Sequence, residues 1–117
     1  MSLVSDAVPE EALDYGEILR RGGAYCGDEN FALCKCPHCS RVYLIEYEVD
    51  TLYLDPANLD RRLSINIGGV SGFTCEHCGG AFPENTPWIG KKAPEAMQVT
   101  WKDLESSPWY WVAAKTR

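Results

Sequence analysis

The chain has 117 residues, 45% of them hydrophobic and 24% charged, with a formal net charge of −6. That length fits one domain, 1–117, with a modest core, and the composition is that of a globular protein. The acidic balance argues against a nucleic-acid partner, and no apolar run approaches the ~18 residues of a membrane-spanning helix.

Taken in chain order, the sequence first predicts a helix over 6–22. Asp6 is placed to cap it, Pro9 falls in its first turn, and Glu10 and Glu11 lie near its positive end. Ala12, Leu13, Gly16 and Leu19 then recur at helical spacing, and Arg20-Arg21 followed by Gly22-Gly23 closes the element. Cys26 and Cys34 follow, and then the first of two Cys-x-x-Cys knuckles, Cys36-Pro37-His38-Cys39.

Val42 to Val49 reads as a strand, with Tyr43, Ile45, Tyr47 and Val49 on one face and Leu44, Glu46 and Glu48 on the other. Two carboxylates on one strand face are ordinarily solvated surface, so Glu46 and Glu48 are expected there. Leu52-Tyr53-Leu54 is a second extended stretch, stopped by Asp55-Pro56. Asp60 to Ile67, with Leu63, Ile65 and Ile67 in alternation, predicts a further half-buried strand. The glycine-rich turn 68–72 lacks the lysine and following helix of a phosphate loop, and it returns the chain to the second knuckle.

That knuckle is Cys75-Glu76-His77-Cys78. Two such pairs offer four thiolates, enough to close a tetrahedral shell around one Zn²⁺ on Cys36, Cys39, Cys75 and Cys78. All-sulfur ligands favour Zn²⁺ or iron over Mg²⁺ or Ca²⁺. Pro37 pre-sets the turn, and Gly79 can take positive φ after Cys78, a place that Ser40 fills after Cys39. Cys34 is an alternative ligand to Cys36. His38 and His77 are expected to point outward rather than ligate. A four-thiolate shell leaves no open coordination position, so the spacing gives no support to catalysis and the chain is expected not to be an enzyme. The competing readings are two reduced dithiols without metal and a redox motif, which wants a βαβ context not found here.

From Pro83 to Pro94 the chain is turn-rich. The segment 98–117 predicts short helical turns. Thr100 and Asp103 have capping-box spacing, and Ser107-Pro108 opens a second segment over Trp109 to Ala114. Trp88, Trp101, Trp109, Tyr110 and Trp111 crowd this end, more as core than as an exposed interface. Nothing at the N-terminus has the pattern of a secretion signal, so a cytoplasmic location is expected. There, six cysteines mean metal ligation or free thiols rather than disulfides.

Over residues 34–84 the knuckles and the β-type sequence between them resemble the zinc-ribbon, or rubredoxin-like, group of folds. The resemblance implies two hairpin turns clamping one ion, within a small α+β protein flanked by terminal helical segments. The 35 residues between the pairs exceed a minimal ribbon and hold an extra strand or hairpin. The function expected is a non-enzymatic protein-interaction or scaffold module with one structural zinc. The rivals are a nucleic-acid-binding ribbon, using Arg20-Arg21, Arg61-Arg62 and Lys91-Lys92, and an iron-binding electron carrier.

Overall fold

The computed structural model describes residues 7–22, 30–64, 73–84, 86–90 and 92–113. Asp6, Gly23, Cys26, Ile65, Ile67, the turn 68–72, Lys91 and Ala114, all used above, lie outside the described residues.

The centre is a four-stranded antiparallel meander in the order β1-β2-β3-β4: β1 is Phe31–Lys35, β2 Val42–Glu46, β3 Thr51–Tyr53 and β4 Arg62–Ser64. With its short helices the protein is of the α+β class. Both faces of the sheet are covered. Cys34, Cys36, Tyr43, Ile45 and Leu52 face one apolar cluster, completed by Phe73, Phe82, Trp88 and Met97. Phe31, Val42, Leu44 and Tyr53 face another, completed by Leu13, Ile18, Leu59, Val99, Leu104, Trp109 and Val112. The sheet therefore divides two small cores, one on the cysteine side and one on the helix side.

Burial on both faces corrects the expectation of a solvated strand face. Glu46 is fully buried, and Tyr53 donates its hydroxyl to Glu46 Oε1 at 2.6 Å. This hydrogen bond offsets part of the cost of burying the Glu46 side chain. Burial and this bond push the Tyr53 hydroxyl up to about 12. Glu48 alone of the two is exposed.

The element bounds also shift. β2 stops at Glu46 because Tyr47–Val49 coils into a 3-10 turn, and Asp50, at φ 49°, turns the chain into β3. β1 has no counterpart in the reading above: its even and odd positions are both apolar, so it shows no alternation. Leu63, expected to face a core, is 38% exposed on the edge strand β4.

The predicted N-terminal helix is broken in two. Glu10–Ala12 is a 3-10 turn and α1 runs only Tyr15–Arg20. Between them Leu13 pairs with Ala113, and Asp14 N–H donates to Val112 O at 2.6 Å. This pairing holds Leu13 and Asp14 out of helical conformation, a tertiary contact overriding local propensity. Asp14 then caps α1, its side chain accepting from Glu17 N–H at 3.0 Å. Val8 N–H donates to Val99 O in the same way, so the N-terminal segment is laced to the C-terminal one.

In the C-terminal segment α2 is Trp101–Glu105, opened by a complete Thr100–Asp103 capping box. Ser107 Oγ accepts from Trp109 N–H at 3.1 Å and leads into a 3-10 turn at Tyr110–Val112. Trp88 and Trp109 are fully buried, as the core reading requires, while Trp101, Tyr110 and Trp111 are half-buried.

Asp103 also pairs with Lys35 of β1, tying α2 to the sheet. Burial pushes its carboxyl up, but Lys35 and Thr100 outweigh this and hold it below the ordinary value of 3.8. The stabilisation is thus present above that value and lost as pH falls below it. Asp103→Ala is expected to cost about 1–2 kcal/mol near neutral pH and to remove that acid-side loss. Urea titrations of both proteins at pH 7 and pH 3 check this.

Candidate metal centre

The two knuckles are built alike. Cys36 N–H donates to Arg41 O at 2.9 Å, and Cys75 N–H to Gly80 O at 2.9 Å. Ser40 N–H then donates to Cys36 O at 2.9 Å, and Gly79 N–H to Cys75 O at 2.8 Å. Each closing residue has positive φ, 67° at Ser40 and 78° at Gly79. Glycine reaches that conformation freely, whereas Ser40 bears a Cβ there at a modest cost. The first knuckle is the β1–β2 hairpin turn, and the second is closed by the bridge between Thr74 and Ala81.

The correspondence extends to the sulfurs. His38 N–H reaches Cys36 Sγ at 3.4 Å, and His77 N–H likewise donates to the Cys75 sulfur. Arg41 N–H donates to the Cys39 sulfur, and Gly80 N–H reaches Cys78 Sγ at 3.3 Å. These amides offset the negative charge that builds up on thiolates.

The structure brings Cys36, Cys39, Cys75 and Cys78 together with all four sulfurs within 4.8 Å of one another. Cys36 Sγ is 3.6 Å from Cys78 Sγ, and Cys39 Sγ is 3.8 Å from Cys75 Sγ. Four sulfurs held ~2.3 Å from a tetrahedral ion lie about 3.8 Å apart along every edge, so the spacing fits a Zn²⁺-sized ion. It is far from the ~2.05 Å of a disulfide. Cys36 and Cys75 are buried, Cys39 is half-buried and Cys78 is exposed, which sets the cluster at the margin of one core.

Cys34 is outside this group. It lies buried in the apolar cluster, where burial, and secondarily the nearby Cys36, pushes its thiol well up and keeps it neutral.

Two residues near the cluster have roles that spacing did not reveal. The Tyr43 hydroxyl, buried beneath the site, lies 3.1 Å from Cys75 Sγ. Burial pushes the Cys75 thiol up, but Tyr43 and the N–H groups of Cys78 and His77 outweigh it and hold the thiol at about 6. Cys39 is pushed up to about 12, chiefly by burial. Four thiolates this close repel one another, and a divalent cation at their centre would allow all four to ionise. Tyr43→Phe is expected to keep the fold and weaken zinc affinity about 10–100-fold, as read by competition with a chromophoric chelator. The only signal for Tyr43 was its apolar register, which does not distinguish a core tyrosine from a hydroxyl aimed at sulfur.

His38 and His77 are exposed and outside the sulfur group. His38 is nonetheless a strap: its Nε2–H donates to Ala81 O at 2.8 Å, joining the first knuckle to the second. Its ring lies over Gly80, where an added Cβ would meet His38 Cδ2 at 2.4 Å. Gly80→Ala is therefore expected to displace the ring and cost about 1–3 kcal/mol, measurable by thermal melts of the metal-loaded protein.

Two of the three basic pairs are engaged locally, while Lys92 of the third is exposed. Arg20 and Arg21 both hold Glu17, Arg61 lies near Asp55 and Glu76, and Arg62 packs over the Tyr53 ring. No described helix is long and apolar enough to cross a membrane. Comparisons with family models, curated proteins and solved structures gave no match.

Proposed function

We propose that this chain is a zinc-ribbon-like module in which one structural Zn²⁺ on Cys36, Cys39, Cys75 and Cys78 locks two hairpin knuckles together. It acts without catalysis, in the cytoplasm, through contacts with another protein. The observation that carries the reading is the matched pair of knuckles, which brings four sulfurs within 4.8 Å of one another, two of the spacings, 3.6 and 3.8 Å, being close to a tetrahedral edge. A shell filled by four thiolates has no position for a substrate or a reactive water. The local pairing of Arg20, Arg21 and Arg61, with the acidic net charge, supports a protein partner over a nucleic acid.

Elemental analysis and an absorption spectrum of the purified protein test this together. One zinc per chain in a colourless sample is expected. A red protein with a reversible one-electron couple would mean iron and electron transfer. A metal-free protein with freely titrating thiols would overturn the reading. Salt-sensitive binding to a duplex or single-stranded oligonucleotide would replace the protein partner with a nucleic acid.

A further inference from the structure

We propose that the free edge of β1 accepts an extended, basic segment of a partner protein as an additional strand. This rests on the protein-interaction reading above and names the chemistry of the partner. Among the described residues β1 is an edge strand of the sheet, hydrogen-bonded to β2 alone, with the turns Glu10–Ala12 and Glu95–Met97 packed nearby. The bonds from Cys36 N–H to Arg41 O and from Tyr47 N–H to Asn30 O fix the even-numbered positions as those facing β2. By the alternation of an antiparallel ladder, Phe31, Leu33 and Lys35 turn their N–H and C=O groups away from β2; Phe31 is fully buried, so the accessible groups are those of the half-buried Leu33 and Lys35. Among the described residues these groups have no backbone partner.

Beside this edge lies a cleft of about 790 Å³. Ala32, Leu33, Ile89 and Val99 give it apolar walls, with Trp88 and Met97 behind them. Because Ala32 and Leu33 face opposite sides of the sheet, the cleft straddles the strand edge and reaches both cores. Backbone donors and acceptors repeating every second residue suit a peptide backbone better than a compact small molecule. Of β1, Ala32 and Leu33 line the cleft, so the added strand is centred on Leu33.

Charge selects the partner. Glu10, Glu11 and Glu95 line the cleft at exposed positions, opposed by Lys92 as the cation among the described lining residues. A strand that alternates apolar side chains with lysine or arginine places the first set on the apolar walls and the second beside these carboxylates.

The probe is a fluorescent heptapeptide, Lys-Val-Lys-Val-Lys-Val-Lys, titrated into the metal-loaded protein while amide exchange is followed by NMR. Expected results are saturable one-to-one binding, slowed exchange at Leu33 N–H, and loss of binding when alternate peptide nitrogens are methylated. Replacing lysine by glutamate in the peptide, or using the Glu11→Lys/Glu95→Lys protein, is expected to weaken binding about tenfold or more. Both positions are exposed, so the variant is expected to fold. Absent binding would overturn the proposal. Equal binding of the methylated or acidic peptide would do so too, as would a free protein whose Leu33 N–H is already protected by self-association. Zinc content measured on the same sample reports separately on the metal reading.

Discussion

Cys36→Ser is expected to abolish stoichiometric metal binding and cooperative thermal unfolding together. Cys36 is fully buried, closes the β1–β2 hairpin through its own N–H and C=O, and brings one of the four sulfurs. A serine hydroxyl does not ionise at neutral pH and cannot replace a thiolate. Structural zinc contributes about 10–16 kcal/mol in small domains, whereas a whole domain is typically stable by only about 5–15 kcal/mol. Losing the site therefore removes as much as the fold has. Cys34→Ser is the control, because Cys34 is equally buried but outside the sulfur cluster. It is expected to keep its metal and lose about 1–3 kcal/mol from burying a hydroxyl. Elemental analysis with circular-dichroism melts of the two variants makes the comparison.

Trp88→Ala is expected to be the costliest change away from the cysteines, at about 3–5 kcal/mol and roughly 10–20 °C in Tm. The indole sits edge-on to Phe82 at 4.9 Å between ring centroids and lies 6.2 Å from Phe73. Phe73 and Phe82 are the residues that enter and leave the second knuckle, with Phe82 N–H bonded to Phe73 O at 2.7 Å. Trp88 Nε1–H also donates to Pro83 O at 2.9 Å, which the alanine variant would leave without that partner. Removing the indole thus undermines the base of the knuckle as well as opening a cavity. Zinc is expected to remain bound at saturation but to be lost to a weaker chelator than the parent protein requires. Trp88→Phe keeps most of the apolar volume and should lose clearly less stability.

What the sequence showed best were features of short range. The capping box at Thr100 and Asp103 and the turn chemistry of Cys36-Pro37-His38-Cys39 are local, and the structure contains both. The positive φ at Gly79 was expected from residue type, whereas the same angle at Ser40 is imposed by closure of the matching turn. Features set by distant contacts were hidden. The break at Leu13 and Asp14 comes from pairing with Val112 and Ala113, which local helical spacing cannot reveal. β1 escaped notice because a strand buried on both faces loses the alternation by which strands are recognised. Glu46 looked like surface for the same reason, since the partner that makes its burial tolerable, Tyr53, arrives from the neighbouring strand. Tyr43 and His38 gained their roles only once the second knuckle was folded against the first.

The acidic charge and the aromatic tail acquire more definite meanings in the folded chain. Trp88 and Trp109 belong to the two cores, while Trp101 and Trp111 remain half-buried. Carboxylates gather along the open edge of β1. The cysteine cluster adjoins the proposed strand-docking edge: Cys36 follows β1 directly, and Leu33 is within it. Loss of metal is therefore expected to weaken peptide binding as well, by loosening the hairpin that presents the edge.

X-ray absorption at the zinc edge of the purified protein tests the central claim most directly. The account predicts one zinc per chain, surrounded by four sulfurs at ~2.3 Å with no oxygen or nitrogen in the shell. A shell of mixed sulfur and oxygen or nitrogen, or no bound zinc, would contradict a closed four-thiolate site that holds this fold together.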